Sequence, residues 1–550
     1  MTLPKPHHYL IIAATLIAAL FAGCESKPAD ETEKQFQRLL AQYEEVELSA
    51  DLSHLSDAER ELIPVLIAAA EQIDEIFWLQ TYGHPRAHLM EQMESETARK
   101  YSLINYGPWS RLAGHTAFYP GFEDKPLGAQ LYPADMTREE FEAWDHPLKS
   151  HPYTIIRRDQ DGSLTAVPYR EAFEKQLGAI SELLNEAART ADYEKMATFF
   201  RELANDLQQD DLRASERAWM QMQNHNLDLV MRPLDTGEDR KFGYKASYST
   251  YILVKEPQWT SRLERFSGLA GQMQQRIPVP DAYKQAAPDQ GSEILVYDAL
   301  YYAGHCNAGP KIIALYLPRT PEVIEQTGTR SMQLKNVMEA KFEHILKPIG
   351  DMMIHESQRD KVSSDAFFLL TAFHEIAASQ GISRLVDGSG TVREALREQH
   401  NTIDATSTDL LALYMIAALA DMGEISQEEL QQAYITSFAS VMRSSRFGAA
   451  GAHGIAGMIR FNVFERENVF TRCPETLTYT VDVDNMKAAI EKTLIQLILM
   501  QGDGNYQAAG ELISRDGSMP GYFREDIDRI NNSGIPVDVS FRQGLEYLGL

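Results

Sequence analysis

Residues 365–380 read Asp-Ala-Phe-Phe-Leu-Leu-Thr-Ala-Phe-His-Glu-Ile-Ala-Ala-Ser-Gln, an apolar run with one His-Glu pair towards its end. Residues 363–365 supply N-cap candidates before the run. The pattern therefore predicts a helix over 364–380 whose apolar side chains pack into a core. His374 and Glu375 are the residues of this helix that have the chemistry of a catalytic or metal site.

Zinc peptidases carry His-Glu-x-x-His on a helix. Residues four apart share one face, so two imidazoles reach one metal while the glutamate deprotonates its water. His374 and Glu375 match the first two positions, but Ala378 stands where the second histidine belongs. A His-Glu pair by itself is more often a satisfied core or surface pair than a metal site. Whether the pair marks a metal site therefore depends on motifs elsewhere in the chain.

The remaining sequence predicts an α+β protein with two lobes, one mixed and one helical. Helix-period patterns occur at 58–78, 169–207, 334–354, 392–422, 427–446 and 485–500, and strand patterns at 244–256, 293–302 and 311–318. Clefts between lobes are common ligand sites, so the cleft is the expected place for a ligand.

The length of 550 residues allows several domains. The predicted organisation is a signal peptide at 1–23, a tether at 24–32, a mainly mixed lower lobe at 33–255, inter-lobe helix and strand segments at 256–330, a helical metallopeptidase-like lobe at 331–510 and a C-terminal segment at 511–550.

Charge and cysteine content narrow the function further. The chain has 79 acidic against 52 basic side chains and a formal charge of -27, which repels phosphate backbones and argues against a nucleic-acid partner. Cys306 and Cys473 follow no nucleophile motif. Whether these two cysteines pair is left open, and the sequence does not indicate an oligomeric state.

The N-terminus predicts export and anchoring. An apolar run at 9–23 follows a short front with Lys5, which is typical of a signal-peptide core too short to span a bilayer. Residues 21–24, Phe-Ala-Gly-Cys, resemble a bacterial lipobox, although Phe21 stands where leucine is usual. The resemblance implies a lipid on Cys24 and a membrane-anchored chain of the bacterial envelope. If the source is Gram-negative, Glu25 fits the periplasmic face of the outer membrane.

Five further motifs occur in a fixed order around the His-Glu pair. They are Phe-Gly-Tyr-Lys-Ala at 242–246, Leu-Lys-Asn-Val-Met-Glu-Ala-Lys-Phe at 334–342, Thr-Val-Arg-Glu-Ala-Leu at 391–396, Asp-Leu-Leu-Ala-Leu-Tyr at 409–414, and Arg-Phe-Gly at 446–448 with Ala-His-Gly at 452–454. Together with His374 and Glu375 they resemble the bacterial branch of the dipeptidyl-peptidase III family of zinc metallopeptidases. The resemblance covers residues 225–470 most strongly.

The resemblance implies a cleft that takes an oligopeptide, a zinc cofactor, and ligands from two histidines and one glutamate. In this chain His374 is the one retained metal ligand, because Ala378 and Ala405 occupy the other two positions. Glu375 keeps the general-base position. A methyl group has no lone pair to offer a metal, so tight zinc binding is not expected.

Two further residues match functional positions of the family. His453 matches a histidine that steadies the tetrahedral intermediate, a role for a donor aimed at developing negative charge. Asn336 lies in the segment that borders the peptide cleft. Each also has an ordinary structural interpretation, as a capping or loop histidine and as a helix-end or strand-end asparagine.

The prediction is an envelope lipoprotein with the dipeptidyl-peptidase III fold that binds an oligopeptide or protein in its cleft as a pseudopeptidase. Two alternatives stay open. One is an active zinc-dependent dipeptidyl peptidase with a rearranged site, in which His400 and Asp404, four apart on a helix, would join His374 as ligands. The other is a purely structural lipoprotein without a ligand.

Overall fold

The computed structural model describes residues 29–223, 225–284, 293–448 and 451–550. The segment predicted as a signal peptide, Cys24 and the first part of the predicted tether lie outside these residues. The described chain begins with a helix at Ala29.

The strands are short except for those of one central sheet. In chain order they are β1 Tyr43–Glu47, β2 Trp109–Ser110, β3 Thr116–Ala117, β4 Thr154–Arg158, β5 Leu164–Pro168, β6 Leu227–Asp235, β7 Ser247–Lys255, β8 Glu293–Gly304, β9 Ala314–Leu317, β10 Arg330–Leu334, β11 Phe470–Arg472, β12 Tyr479–Val481 and β13 Asp538–Arg542.

Helices of the first half surround these strands. They are α1 Ala29–Leu40, α2 Asp57–Thr81, α3 Arg86–Glu91, α4 Glu96–Asn105, α5 Arg138–Ala143, α6 Tyr169–Ala172, α7 Glu174–Thr190, α8 Glu194–Leu207, α9 Arg213–Gln221, α10 Pro257–Gly268, α11 Ala270–Gln275 and α12 Pro321–Thr327.

The second half is mainly helical. Its helices are α13 Lys335–Lys341, α14 Lys347–Met353, α15 Ser364–Ala378, α16 Val392–Leu396, α17 His400–Met422, α18 Gln427–Ser445, α19 Ala452–Arg466, α20 Val483–Gly502, α21 Tyr506–Asp516, α22 Gly521–Asn531 and α23 Leu545–Leu548.

The central sheet has five strands in the order β6-β7-β8-β10-β9. Its neighbours are antiparallel except β10, which runs parallel to β8. The three predicted strands are confirmed as β7, β8 and β9, whereas β6 and β10 were not predicted. Residues 227–233 of β6 are all buried, so this strand lacks the alternation by which a half-exposed strand is recognised.

Two hydrophobic cores give the protein its two lobes, and the predicted α+β class is confirmed. The lower core joins the sheet to α2, α7 and α8, with Tyr251 and Tyr297 fully buried in it. The upper core joins α15, α17, α18, α19 and α20, with Phe373 and Phe438 fully buried. Ile313, directly before β9, packs against both cores, so β9 starts at the lobe boundary.

The two ends of the chain meet in the lower lobe. Strand β13 pairs in parallel with β1, with Tyr43 opposite Asp538. Helix α13 follows β10 without a loop and leads the chain into the upper lobe. The junction between the lobes is therefore built from α13, β13 and the start of β9.

The helix predicted over 392–422 is interrupted, which corrects the prediction. Arg397 has φ 51°, and residues 397–399 form a 3-10 turn between α16 and α17. The hydroxyl of Tyr506 donates to Glu398, so α21 holds this turn in place. Among the described residues, 392–422 is the one stretch long and apolar enough to cross a membrane, but 83% of its most apolar window is buried within the protein.

Two other stretches that were predicted as continuous helices are divided into shorter helical segments in the structure. The stretch 169–207 forms three helices, α6 to α8, and the stretch 334–354 contains a π-helical segment, Phe342–Leu346, between α13 and α14. The helix predicted over 364–380 is confirmed as α15, with Ser363 as its N-cap.

Cys306 and Cys473 do not form a disulfide; both are free. Cys306 is buried beside the sheet, with its thiol 3.2 Å from the carbonyl oxygens of Thr250 and Ala303. Burial raises the pKa of the Cys306 thiol to about 12, so it is held as an inert thiol rather than a nucleophile.

Candidate functional site

Helix α15 presents His374 and Glu375 at the edge of the upper core. The Ser363 hydroxyl accepts a hydrogen bond from the Ala366 amide, which fixes the start of the helix. Phe373 is buried, whereas the His374 side chain is 33% exposed. Core packing therefore sets the rotation of α15 and leaves His374 at its accessible margin.

His374 is held by a carboxylate on the next long helix. Its Nδ1 lies 2.8 Å from Oδ1 of Asp409 on α17, and Nη2 of Arg460 on α19 lies 3.0 Å from Oδ2 of the same residue. Since an ionised carboxylate accepts, Nδ1 of His374 donates and Nε2 is left for another partner. The three helices are thus joined through one carboxylate.

The neighbouring charged groups of this cluster shift the pKa values of Asp409 and His374 towards their ionised forms. Burial alone would raise the pKa of the Asp409 carboxyl, but the Arg460 charge and the His374 hydrogen bond outweigh it and hold that pKa below its usual value. Burial alone would lower the pKa of His374, but the hydrogen bond and charge of Asp409 raise it. Each of the two groups therefore favours the charged form of the other.

The donor set at this place does not fit zinc. Ala378 is exposed on α15, and Ala405 lies one helical turn before Asp409 on α17 with 6% exposure. Within the residues that the structure describes, there is no group of three or more His, Cys, Asp or Glu side chains that could hold a metal ion. A catalytic zinc site needs three protein ligands, and only His374 is present at the matching positions.

The alternative ligand trio is wrong. His400 is the first residue of α17 after the 3-10 turn, and its Nδ1 lies 3.3 Å from the Asn401 amide oxygen. His374 pairs with Asp409, not with Asp404, because five residues along a helix turn a side chain to a different face. These three groups therefore do not meet.

Glu375 and His453 lie on two helices of the upper lobe. Glu375 is half-buried beside His374, and within the described chain it has no hydrogen-bond or ion-pair partner. His453 is the second residue of α19, exposed, and close enough for its charge to lower the pKa of Asp409. Glu375 and His453 thus flank the His374–Asp409 pair from two helices.

Asn336 is engaged within the lower lobe. Its side-chain oxygen accepts from the Ala299 amide at 2.9 Å, and its nitrogen donates to the carbonyl oxygens of Ala299 and Ser49. These bonds tie the start of α13 to β8. Its role as a substrate ligand stays a prediction.

A buried polar cluster at the end of β6 was not predicted. Glu238 binds Nη1 of Arg111 at 2.6 Å, pairs with Lys125 and accepts from the Thr81 hydroxyl. His305 lies 3.7 Å from Glu238 and 3.6 Å from Asp235. The signal that could have revealed the cluster is the run of acids at 235–239 directly before the motif at 242–246.

Burial and charge act in opposite directions on Glu238. Burial would raise the pKa of its carboxyl, but Arg111, Lys125 and His305 hold that pKa well below its usual value. Oδ2 of Asp235 and Nδ1 of His305 are buried without a hydrogen-bond partner within the described chain. The buried polar groups at this end of the sheet are therefore only partly hydrogen-bonded.

Solved structures share this architecture along nearly the whole chain. The structure of dipeptidyl-peptidase III from Caldithrix abyssi superposes with a TM-score of 0.88 and 30% sequence identity, covering 93% of this chain and 99% of that one. Dipeptidyl-peptidase III from Corallococcus sp. strain EGB has a TM-score of 0.74 and 29% identity over 93% and 97% of the two chains.

The chain belongs to the dipeptidyl-peptidase III family. No protein-family model matches it. Among curated proteins it is 27% identical over 572 residues to Nudix hydrolase 3 of Arabidopsis thaliana, covering 92% of this chain and 73% of the plant protein. That Ala378 and Ala405 occupy zinc-ligand positions of this family stays a prediction.

Replacing Asp409 with Asn tests the role of the shared carboxylate. The amide cannot accept charge-assisted bonds from both His374 and Arg460, so Asp409→Asn should lower the free energy of unfolding by about 2 kcal/mol. Asp404→Asn is the matched control, because it makes the same change on the same helix at a carboxylate that has no partner within the described chain. Urea denaturation measures both. Equal stability of the two variants would contradict the assigned network.

Proposed function

We propose that this family member binds a peptide or a protein segment in the cleft between its lobes and does not hydrolyse it efficiently. The observation that carries the proposal is the donor set of α15 and α17, which offers His374 and two methyl groups where the family places three zinc ligands. The fold and the cleft-bordering motifs are retained. Binding without zinc-dependent chemistry accounts for both facts.

The residues present support recognition better than hydrolysis. Ala378 and Ala405 have no lone pair with which to hold a metal ion that would acidify a water beside Glu375. The ring of His374 and the positively charged guanidinium of Arg460 both contact Asp409 and so lie close together. They are suited to attract a carbonyl or carboxylate oxygen of a ligand.

Strand β9 supports a peptide as the ligand. It forms one edge of the central sheet and starts where the two cores meet. An edge strand has backbone donors and acceptors that an extended peptide can pair with. On this strand Leu315 and Leu317 are buried, whereas Tyr316 is 50% exposed, with the Arg319 guanidinium 3.8 Å from its ring centre.

Backbone pairing with β9 predicts a specific dependence on ligand amides. A peptide selected from a library by its affinity should lose about tenfold in affinity or more when one of its pairing amides is N-methylated, since a donor is removed while the side chains stay. Methylation at alternate amides, which face away from the strand, should have little effect. Isothermal titration calorimetry gives the comparison, and a peptide insensitive to methylation at every position would contradict the strand-pairing mode.

Restoring the missing donors tests the assignment of the metal positions. Ala378→His together with Ala405→Glu should create a zinc site with His374, because Asp409 holds Nδ1 and leaves Nε2 for the metal. Metal analysis after dialysis should find near-stoichiometric zinc in the double variant. A dipeptidyl-naphthylamide assay with and without added zinc then shows whether turnover follows.

The matched control is Ser379→His with Ala405→Glu, which places the imidazole one residue off the required face. It should bind no zinc. Circular dichroism and thermal unfolding check that each variant is folded, because a buried carboxylate without a metal costs stability. A folded double variant that takes up no more zinc than the control would show that these positions are not equivalent to the family's ligands.

We further propose that the chain is a lipoprotein of the bacterial envelope, anchored through Cys24 and, in a Gram-negative cell, facing the periplasm from the outer membrane. The sequence at 21–24 supports this assignment. The described structure begins at Ala29, five residues after Cys24.

Anchoring through Cys24 predicts that the native protein is labelled by palmitate in cells and sediments with membranes. Cys24→Ser should abolish both properties. Cys473→Ser is the control, because it removes a free cysteine of the folded domain and should change neither property. Retention of label in the Cys24→Ser variant would refute the anchor.

A further inference from the structure

A cavity of about 330 Å³ lies away from the His374 site, where the two ends of the chain meet. Its walls come from α1, β1, α4, the turn after β8 and β13. Cavities of roughly 300–1,000 Å³ are typical of small-molecule sites. The apolar part of the wall is formed by Leu40, Leu103 and Phe541, and the polar part includes Tyr43, Asn307 and Lys311.

The polar wall carries an excess of buried positive charge. Lys311 and Lys341 are each 4% exposed, and Lys341 is paired with Asp538 at 2.9 Å. Lys311 donates from Nζ to the carbonyl oxygens of Asn307 and Gly309, and in the described part of the chain no carboxylate is paired with it. One carboxylate therefore serves two buried ammonium groups.

The other charges nearby do not remove this excess. Glu45 and Lys100 line the cavity at its exposed side with opposite charges. Arg111, which also acts on Lys311 electrostatically, shares the single carboxylate of Glu238 with Lys125, so this pairing leaves no negative charge for Lys311. Burial lowers the pKa of Lys311 to about 8, with Asp538 opposing the shift, so the ammonium is still the main form at neutral pH.

A second group on the same wall lacks a partner. Tyr43 is 5% exposed, and its hydroxyl has no hydrogen-bond partner within the described residues. A buried hydroxyl without a partner is unfavourable. An ammonium group has three donors, of which Lys311 uses two on carbonyl oxygens. The cavity thus offers the charged donor of Lys311 beside apolar side chains, whereas the Tyr43 hydroxyl is closed off from it.

We propose that this cavity binds a small organic anion whose carboxylate accepts a hydrogen bond from Lys311 and whose apolar chain packs against Leu40, Leu103 and Phe541. The anion supplies the negative charge that the buried lysines lack. The proposal is independent of peptide binding at β9. Because β1 and β13 form part of the wall, an occupied cavity also stabilises the junction of the two chain ends.

Hexanoate is a suitable probe, with hexanamide as its neutral counterpart of similar shape. Calorimetry on the full chain should show saturable binding of hexanoate, and binding of hexanamide should be at least about tenfold weaker, because it carries no charge for Lys311. Lys311→Met should abolish the difference between the two probes. Equal binding of both probes to the native chain, or binding of neither, would overturn the proposal.

Discussion

The upper lobe depends on one shared carboxylate. Asp409 of α17 accepts from His374 of α15 and from Arg460 of α19, so the three helices are held in register by two charge-assisted bonds. Its side chain is only 20% exposed, and leaving it unpaired there would be costly. The pairing also fixes which nitrogen of His374 is available, and so determines what the site can bind.

The cluster is electrostatically balanced without a metal. In a zinc peptidase the metal supplies the positive charge that draws carboxylates and carbonyl oxygens together. Here Arg460 supplies positive charge beside Asp409, and the Asp409 carboxylate in turn raises the pKa of His374. The pairing is incomplete, because Nε of Arg460 is buried without a hydrogen-bond partner within the described residues.

Much of this organisation could be predicted from the sequence, because the relevant signals are local. The N-cap candidates and the apolar run at 363–380 predicted helix α15. The strand pattern at 244–256 predicted β7. Strand β6 was missed because it is buried on both faces, and the break at Arg397 was missed because residues 392–422 have an uninterrupted helical pattern. The turn there depends on Tyr506, which lies more than a hundred residues further along the chain.

The sequence pointed to individual candidate residues of the site but not to the contacts between them. His374, Glu375 and the two alanines follow from motif positions. The partner of His374 does not, because Asp409 lies 35 residues away in the sequence. Arg460 and the Glu238 cluster depend on helices and strands meeting in space, which a single sequence does not encode in any short pattern.

The most direct test of the central claim is the zinc content of the native protein, purified without chelators and dialysed, measured by metal analysis and by anomalous scattering at the zinc edge. The account predicts no ordered zinc beside His374 and no chelator-sensitive release of dipeptides. A fully occupied zinc ion bound by Nε2 of His374 would contradict it.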